Sequence, residues 1–161
     1  MKELKFFVSS IPVSVETFEA YERRMGTLLP DDFREFCLTY NGGYPSSECN
    51  YYPVPSRFTD FWEEYFIPEQ VPFFSVQLLY GVMPVEKQYS SEEVSKFLID
   101  KRGVPKGWHA IAGDGCGNHV LLAKNSYGWD GLYLWDNDTR KTYKIADSCG
   151  EFYDNLQQAS G

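Results

Sequence analysis

Apolar positions recur at helical spacing in the first third of the chain and fall into short strand-like runs between turn residues in the last. Val15, Phe18 and Tyr21 follow Ser14, which predicts a helix capped by that serine, running to about residue 25 and stopped by Gly26. The most organised stretch is 29–43. Pro30 suits the first helical position, because its fixed φ fits and its missing N–H needs no partner there. Asp31 and Asp32 fall in the first turn, where free amides favour negative charge. Phe33, Phe36, Cys37 and Tyr40 define one apolar face. Asn41-Gly42-Gly43 ends the helix, with glycine expected to take the left-handed cap. This helix is expected to anchor the core, and nothing in it points to catalysis.

Around it the pattern is shorter-ranged. Leu4, Phe6 and Val8 alternate, as in an edge strand or packed arm. Pro45, Pro53, Pro55 and Pro68 interrupt 44–70; within it 51–54 reads as a short strand and 58–66 as a short helix. Residues 73–82 are apolar and β-prone and read as a central strand. Ser90 or Ser91 caps a helix through about residue 101, ended by Gly103. Four strands follow at 108–112, 119–124, 132–135 and 141–145, joined by turns, and Ser148 caps a last helix through about residue 157. Helices, then a meander, then a helix make an α+β fold: an antiparallel or mixed sheet of about four to six strands with flanking helices. At 161 residues, the chain is expected to form one domain over its whole length.

Charge narrows the class of partner. The net charge is -8, which disfavours direct nucleic-acid binding and favours a basic protein partner. Residues 44–95 hold eight acids against two bases, so most of the negative charge lies beside the proline-broken aromatic segment. That combination fits either a solvated surface or a protein-binding face, in which rings supply buried area and acids supply orientation. The N-terminal stretch lacks the apolar core of a signal peptide, and no run reaches membrane-spanning length. The four cysteines form no C-x-x-C pair and are expected to be reduced thiols of a cytoplasmic protein.

Candidate chemistry is sparse. His109, Asp114, Cys116 and His119 are close in sequence, and a nucleophilic Cys116 served by either histidine is one reading. The other is a tight turn: Gly113, Gly115 and Gly117 permit positive φ while Asp114 and Asn118 bond to the loop backbone. Two histidines cannot make a three-histidine zinc site. The glycine loop lacks the order of a phosphate cradle, and Asp136 and Asp138 lack the rest of a calcium loop. No cofactor or metal is expected, and no catalytic residue is assigned.

The segment Leu29-Pro30-x-x-Phe33-x-x-Phe36 to Asn41-Gly42-Gly43 resembles the opening motif of the SMI1/KNR4 (SUKH) superfamily. Ile111-Ala112-Gly113-Asp114-Gly115-Cys116-Gly117-Asn118 is similar to its central turn, Gly131-Leu132-Tyr133-Leu134-Trp135-Asp136 to a following strand, and 148–156 to its closing helix. The resemblance covers roughly residues 14–157, with 48–72 not aligned. It implies an α+β, non-enzymatic binding protein. Bacterial members are largely immunity proteins, each neutralising a cognate toxin by direct binding; others are regulatory or scaffold proteins with cellular partners. The family motif does not fix the contact residues. The expected contacts are Tyr51, Tyr52, Phe58, Trp62, Glu63, Glu64 and the Trp129-Asp130 turn, chosen for aromatic area and negative charge. For Phe58 and Trp62, the competing expectation is the buried face of a short helix.

Overall fold

The computed structural model describes residues 1–59, 72–83 and 90–159. In chain order the strands are β1 (Phe6–Ser9), β2 (Gly43–Pro45), β3 (Tyr51–Pro53), β4 (Phe73–Ser75), β5 (Leu78–Leu79), β6 (His109–Gly113), β7 (His119–Asn125), β8 (Gly128–Trp135) and β9 (Thr142–Ala146). The helices are α1 (Val15–Met25), α2 (Asp31–Thr39), α3 (Ser56–Thr59), α4 (Ser91–Arg102) and α5 (Cys149–Asp154). Seven strands form one sheet in the order β1-β2-β5-β6-β7-β8-β9, and β3 and β4 form a separate ribbon. Every named pairing is antiparallel. The fold is therefore α+β as expected, with a larger sheet than anticipated. The alternation of Phe6 and Val8 did mark β1, whereas β2 and β5, with three and two residues, are too short to show as alternation in sequence.

Helix boundaries follow local chemistry. Ser14 caps α1 by accepting the Thr17 amide, Ser90 caps α4 through Glu93, and Ser148 caps α5 through Glu151. Gly26 and Gly103 close α1 and α4 in the left-handed conformation. Pro30 stands one place earlier than expected, as the N-cap of α2. The carboxylate of Asp32 accepts the amides of Phe33 and Gly150, both at 2.8 Å, tying the first turn of α2 to that of α5. Glu22, nearly buried, accepts the Leu29 amide at 2.7 Å and locks the α1–α2 connection.

Two expectations need correction. Residues 73–82 are not one central strand: β4 pairs with the ribbon, β5 enters the main sheet between β2 and β6, and the chain changes sheet between them. The last helix stops at Asp154 because the chain then extends, and Tyr51 and Gln157 exchange backbone hydrogen bonds of 3.0 and 2.9 Å. Of the expected helix at 58–66, α3 supplies the start; residues 60–71 lie outside the described residues.

The helices divide the sheet between two cores. Phe18 of α1, Phe33, Phe36 and Cys37 of α2, and Phe152 and Tyr153 of α5 pack with Leu79, Val120, Leu122, Leu132 and Ile145. Val94 and Leu98 of α4 pack instead with Tyr80, Ala110, Leu121 and Trp135. Two serines fasten α4 to β6: Ser91 Oγ donates to the Ala110 carbonyl at 2.6 Å, and Ser95 Oγ accepts the Ala110 amide at 2.8 Å.

The end of α2 holds three segments together. Asn41, rather than a glycine, enters the left-handed region first, at φ 59°. Its side chain is buried; Nδ2 donates to Ser10 Oγ and to the Met83 carbonyl, each at 3.1 Å, and Oδ1 accepts the Val82 amide at 2.9 Å. Gly81 packs so tightly on the Asn41 backbone that an added Cβ would lie 1.7 Å from the Asn41 carbonyl oxygen. Replacing Asn41 with alanine strands these partners and adds left-handed strain, with an expected loss of about 3 kcal/mol of stability. Asn41→Gly should keep about 1 kcal/mol of that, since glycine relieves the strain without restoring the bonds. Urea unfolding of both variants measures the two contributions.

Candidate partner-binding surface

The expected contact residues separate sharply in the structure. Tyr51, on the β3–β4 ribbon, is partly exposed and stacks on Phe73 at 5.0 Å, with Phe73 53% exposed. This pair is an open aromatic platform. Tyr52 is not available for contact: it is fully buried, lies tilted against the Phe152 ring at 4.8 Å and donates its hydroxyl to the Ile145 carbonyl at 2.6 Å. Alternation along the three-residue strand turns it inward while Tyr51 faces out. Phe58 is also core, with Arg57 over its ring at 4.3 Å, so the buried-helix reading holds for it. Arg57 reaches on to Asp147 and Glu151, pinning α3 to α5. Trp62, Glu63 and Glu64 lie outside the described residues.

Trp129 and Asp130 are partly exposed but engaged. Trp129 is the second residue of β8 rather than sitting in a free turn; its Nε1–H donates to the Leu28 carbonyl at 3.1 Å, and its ring meets His109 edge-on at 5.7 Å. Lys124 lies 5.1 Å from the Trp129 ring centre and donates to Thr27 Oγ1 at 2.6 Å. Together they clamp the α1–α2 connection to the β7–β8 hairpin. Asp130 accepts the Tyr133 hydroxyl at 2.9 Å and has Lys144 at 3.8 Å. Burial and that carboxylate push the Tyr133 phenol up to about 12. The exposed ring at this end is Tyr127, at the hairpin tip.

A second surface was not anticipated. Between α4 and the β2–β5 part of the sheet lies a groove of about 570 Å³, lined by Tyr44, Leu78, Val94, Phe97 and Glu93 with Tyr80 and His119. The Tyr80 hydroxyl and His119 Nδ1 share a hydrogen bond of 3.0 Å. Gly113 leaves room for that hydroxyl: a Cβ there would lie 2.1 Å from it. Sequence carried one trace of this groove. The buried positions of α4 are Ser91, Val94, Ser95 and Leu98, while Phe97 lies off that stripe and is 49% exposed.

The glycine loop is built as a turn. One Asp114 oxygen accepts the Cys116 and Asn118 amides, and the other accepts the Asn118 side chain at 2.8 Å. Gly115 and Gly117 take positive φ; Gly113 does not, and serves close packing instead. Cys116 is exposed, and among the described residues no hydrogen bond joins it to either imidazole. His119 is bound to Tyr80, while His109 is buried with Nδ1 on the Gly107 carbonyl. No group of three potential metal ligands occurs among the described residues, and no helix among them is long and apolar enough to cross a membrane.

The sequence model of the SMI1 / KNR4 family (SUKH-1) matches residues 12–155. The chain belongs to this family. No individual curated protein matches it. Membership of the SMI1/KNR4 family supports a non-enzymatic role in binding another protein. The match also runs through 48–72, where the motifs alone gave no alignment.

Two outcomes follow from the Trp129 clamp. Trp129→Ala should cost about 2 kcal/mol of folding stability, read by urea unfolding, because it removes intramolecular packing. Burial also holds both imidazoles below their ordinary value of 6.5, and at His109 nearby Lys124 adds to the effect. The unfolded chain then takes up protons that the folded chain refuses. The stability contributed by neutral histidine is therefore complete above the unfolded value of 6.5 and is lost as pH falls through the folded one. Between about pH 7.5 and about pH 5.5 the melting temperature should fall, and His109→Phe should make that fall smaller. Glu92, held low by Arg24, has the same sign but acts below its ordinary 4.5, outside this window.

Proposed function

We propose that this chain is an immunity protein: a cytoplasmic, non-enzymatic domain that neutralises a cognate bacterial toxin by binding it directly. Membership of the SMI1/KNR4 family over residues 12–155 carries the reading. The charge pattern supports it. A net charge of -8 favours capture of a toxin domain with a basic surface, and the acids of 44–95 border the Tyr51–Phe73 platform in sequence. Inhibition needs no chemistry from the bound chain, only occlusion of the toxin's active site or substrate surface. The proposed contacts are Tyr51 with Phe73, and Trp62, Glu63 and Glu64 from the same part of the sequence.

Co-expression with the toxin encoded beside the gene should restore growth, and the purified pair should form a complex. Glu63→Lys and Glu64→Lys should mainly slow association and flatten its salt dependence. Tyr51→Ala should weaken binding by about 2 kcal/mol if the platform is a hot spot, with circular dichroism confirming the fold. Titration of the toxin domain against each variant at two ionic strengths measures both effects. Full binding by all three would place the contact elsewhere on the chain. A stable complex with a housekeeping protein, in cells lacking any toxin, would instead favour a regulatory or scaffold role.

A further inference from the structure

The groove beside α4 has walls, a floor and a charge that together specify an occupant. Its volume of about 570 Å³ exceeds one side chain and lies within the usual range for recognition sites. The α4 wall is fixed in place, since Ser91 and Ser95 bond it to β6. Phe97 projects from that wall, half exposed, while Val94 and Leu98 already supply the helix's buried contacts. Opposite stand Tyr44 and Leu78, both partly exposed. The sheet edge beyond them is apolar too: Val8 pairs with Tyr44 and is 52% exposed.

The charge has one sign. Among the described lining residues Glu93 is an acid and none is a lysine or arginine. Arg24 takes the neighbouring Glu92 at 2.7 Å, but Glu93 has no ion pair among the described residues. Arg102 lies over Phe97 at 5.1 Å and lines no part of the groove. An incoming cation would find an uncompensated carboxylate beside aromatic rings, and an incoming acid would be repelled by it.

We propose that this groove anchors the protein partner, taking an apolar or aromatic side chain flanked by lysine or arginine. The inference rests on the protein-binding reading above and adds to it the docking surface and the chemistry of the docked segment. Aromatic walls supply the burial, and Glu93 selects basic over acidic segments.

The test is titration of the isotope-labelled full chain with two peptides, acetyl-Arg-Phe-Arg amide and acetyl-Glu-Phe-Glu amide, followed by backbone amide shifts. The basic peptide should give saturable shifts at Leu78, Gly113, Gly115 and Phe97, and bind about tenfold more tightly than the acidic one. Glu93→Lys changes an exposed side chain and should reverse that preference, which a purely structural role for Glu93 would not do. Phe97→Ser should weaken both peptides. Absence of saturable shifts at these amides, or an unchanged preference in Glu93→Lys, overturns the proposal. Growth protection separates the two readings. If the wild-type chain fails to protect against the adjacent toxin, the immunity reading falls and the peptide result alone decides the groove. If the wild-type chain and both variants protect equally, the immunity reading stands and the groove is not its anchor.

Discussion

The buried amide of Asn41 is the joint on which the sheet depends. One side chain satisfies groups from the arm after β1 and from the segment after β5, while its own backbone ends α2. Its neighbours are equally constrained. A Cβ at Gly42 would lie 2.5 Å from the Leu79 carbonyl oxygen, and one at Gly43 would lie 2.4 Å from that of Val8. The Asn-Gly-Gly sequence is therefore more than a helix stop. It is where β1, β2 and β5 approach the helix end, and bare backbone is the only backbone that fits. Short strands with few ladder bonds of their own gain their register from this crossing.

From that joint the chain can give the two sheet faces unequal cover. Helices α1, α2, α3 and α5 and the β3–β4 ribbon fill one face, so the aromatic residues of 51–58 are largely spent on the core. The other face receives α4, which lies along β6. The groove is the space left on the β2–β5 side of that helix, and its shape follows from where the two serines set α4 down. A rigid wall of this kind has little ordering cost left to add on binding.

Sequence alone revealed the elements whose signals are local. Serine caps with glycine stops defined α1 and α4, and short β-prone runs between turn residues defined the long strands β6 to β9. What it could not reveal depends on partners distant in the chain. β2 and β5 exist because other strands lie beside them. The end of α5 is set by Tyr51, about a hundred residues earlier. The same limit applied to the contact residues. Aromatic and acidic composition brought Tyr51, a partly exposed ring, to attention, but could not tell it from the buried Tyr52 one place on. Trp129 looked free because its hydrogen-bond acceptor, the Leu28 carbonyl, lies 101 positions away. The groove left almost no trace, since its members come from four separate stretches of the chain.

The glycine loop has a practical consequence. Its Cys116 is exposed, whereas Cys37, Cys49 and Cys149 are buried, and burial pushes the Cys37 and Cys149 thiols upward, away from the reactive thiolate. A maleimide dye should therefore attach to the native chain at a single position. That position lies between Gly115 and Gly117, both on the groove's rim. The protein thus carries its own attachment point for a fluorescent reporter, placed where a bound segment would change the dye's surroundings, and needs no engineered residue to supply one.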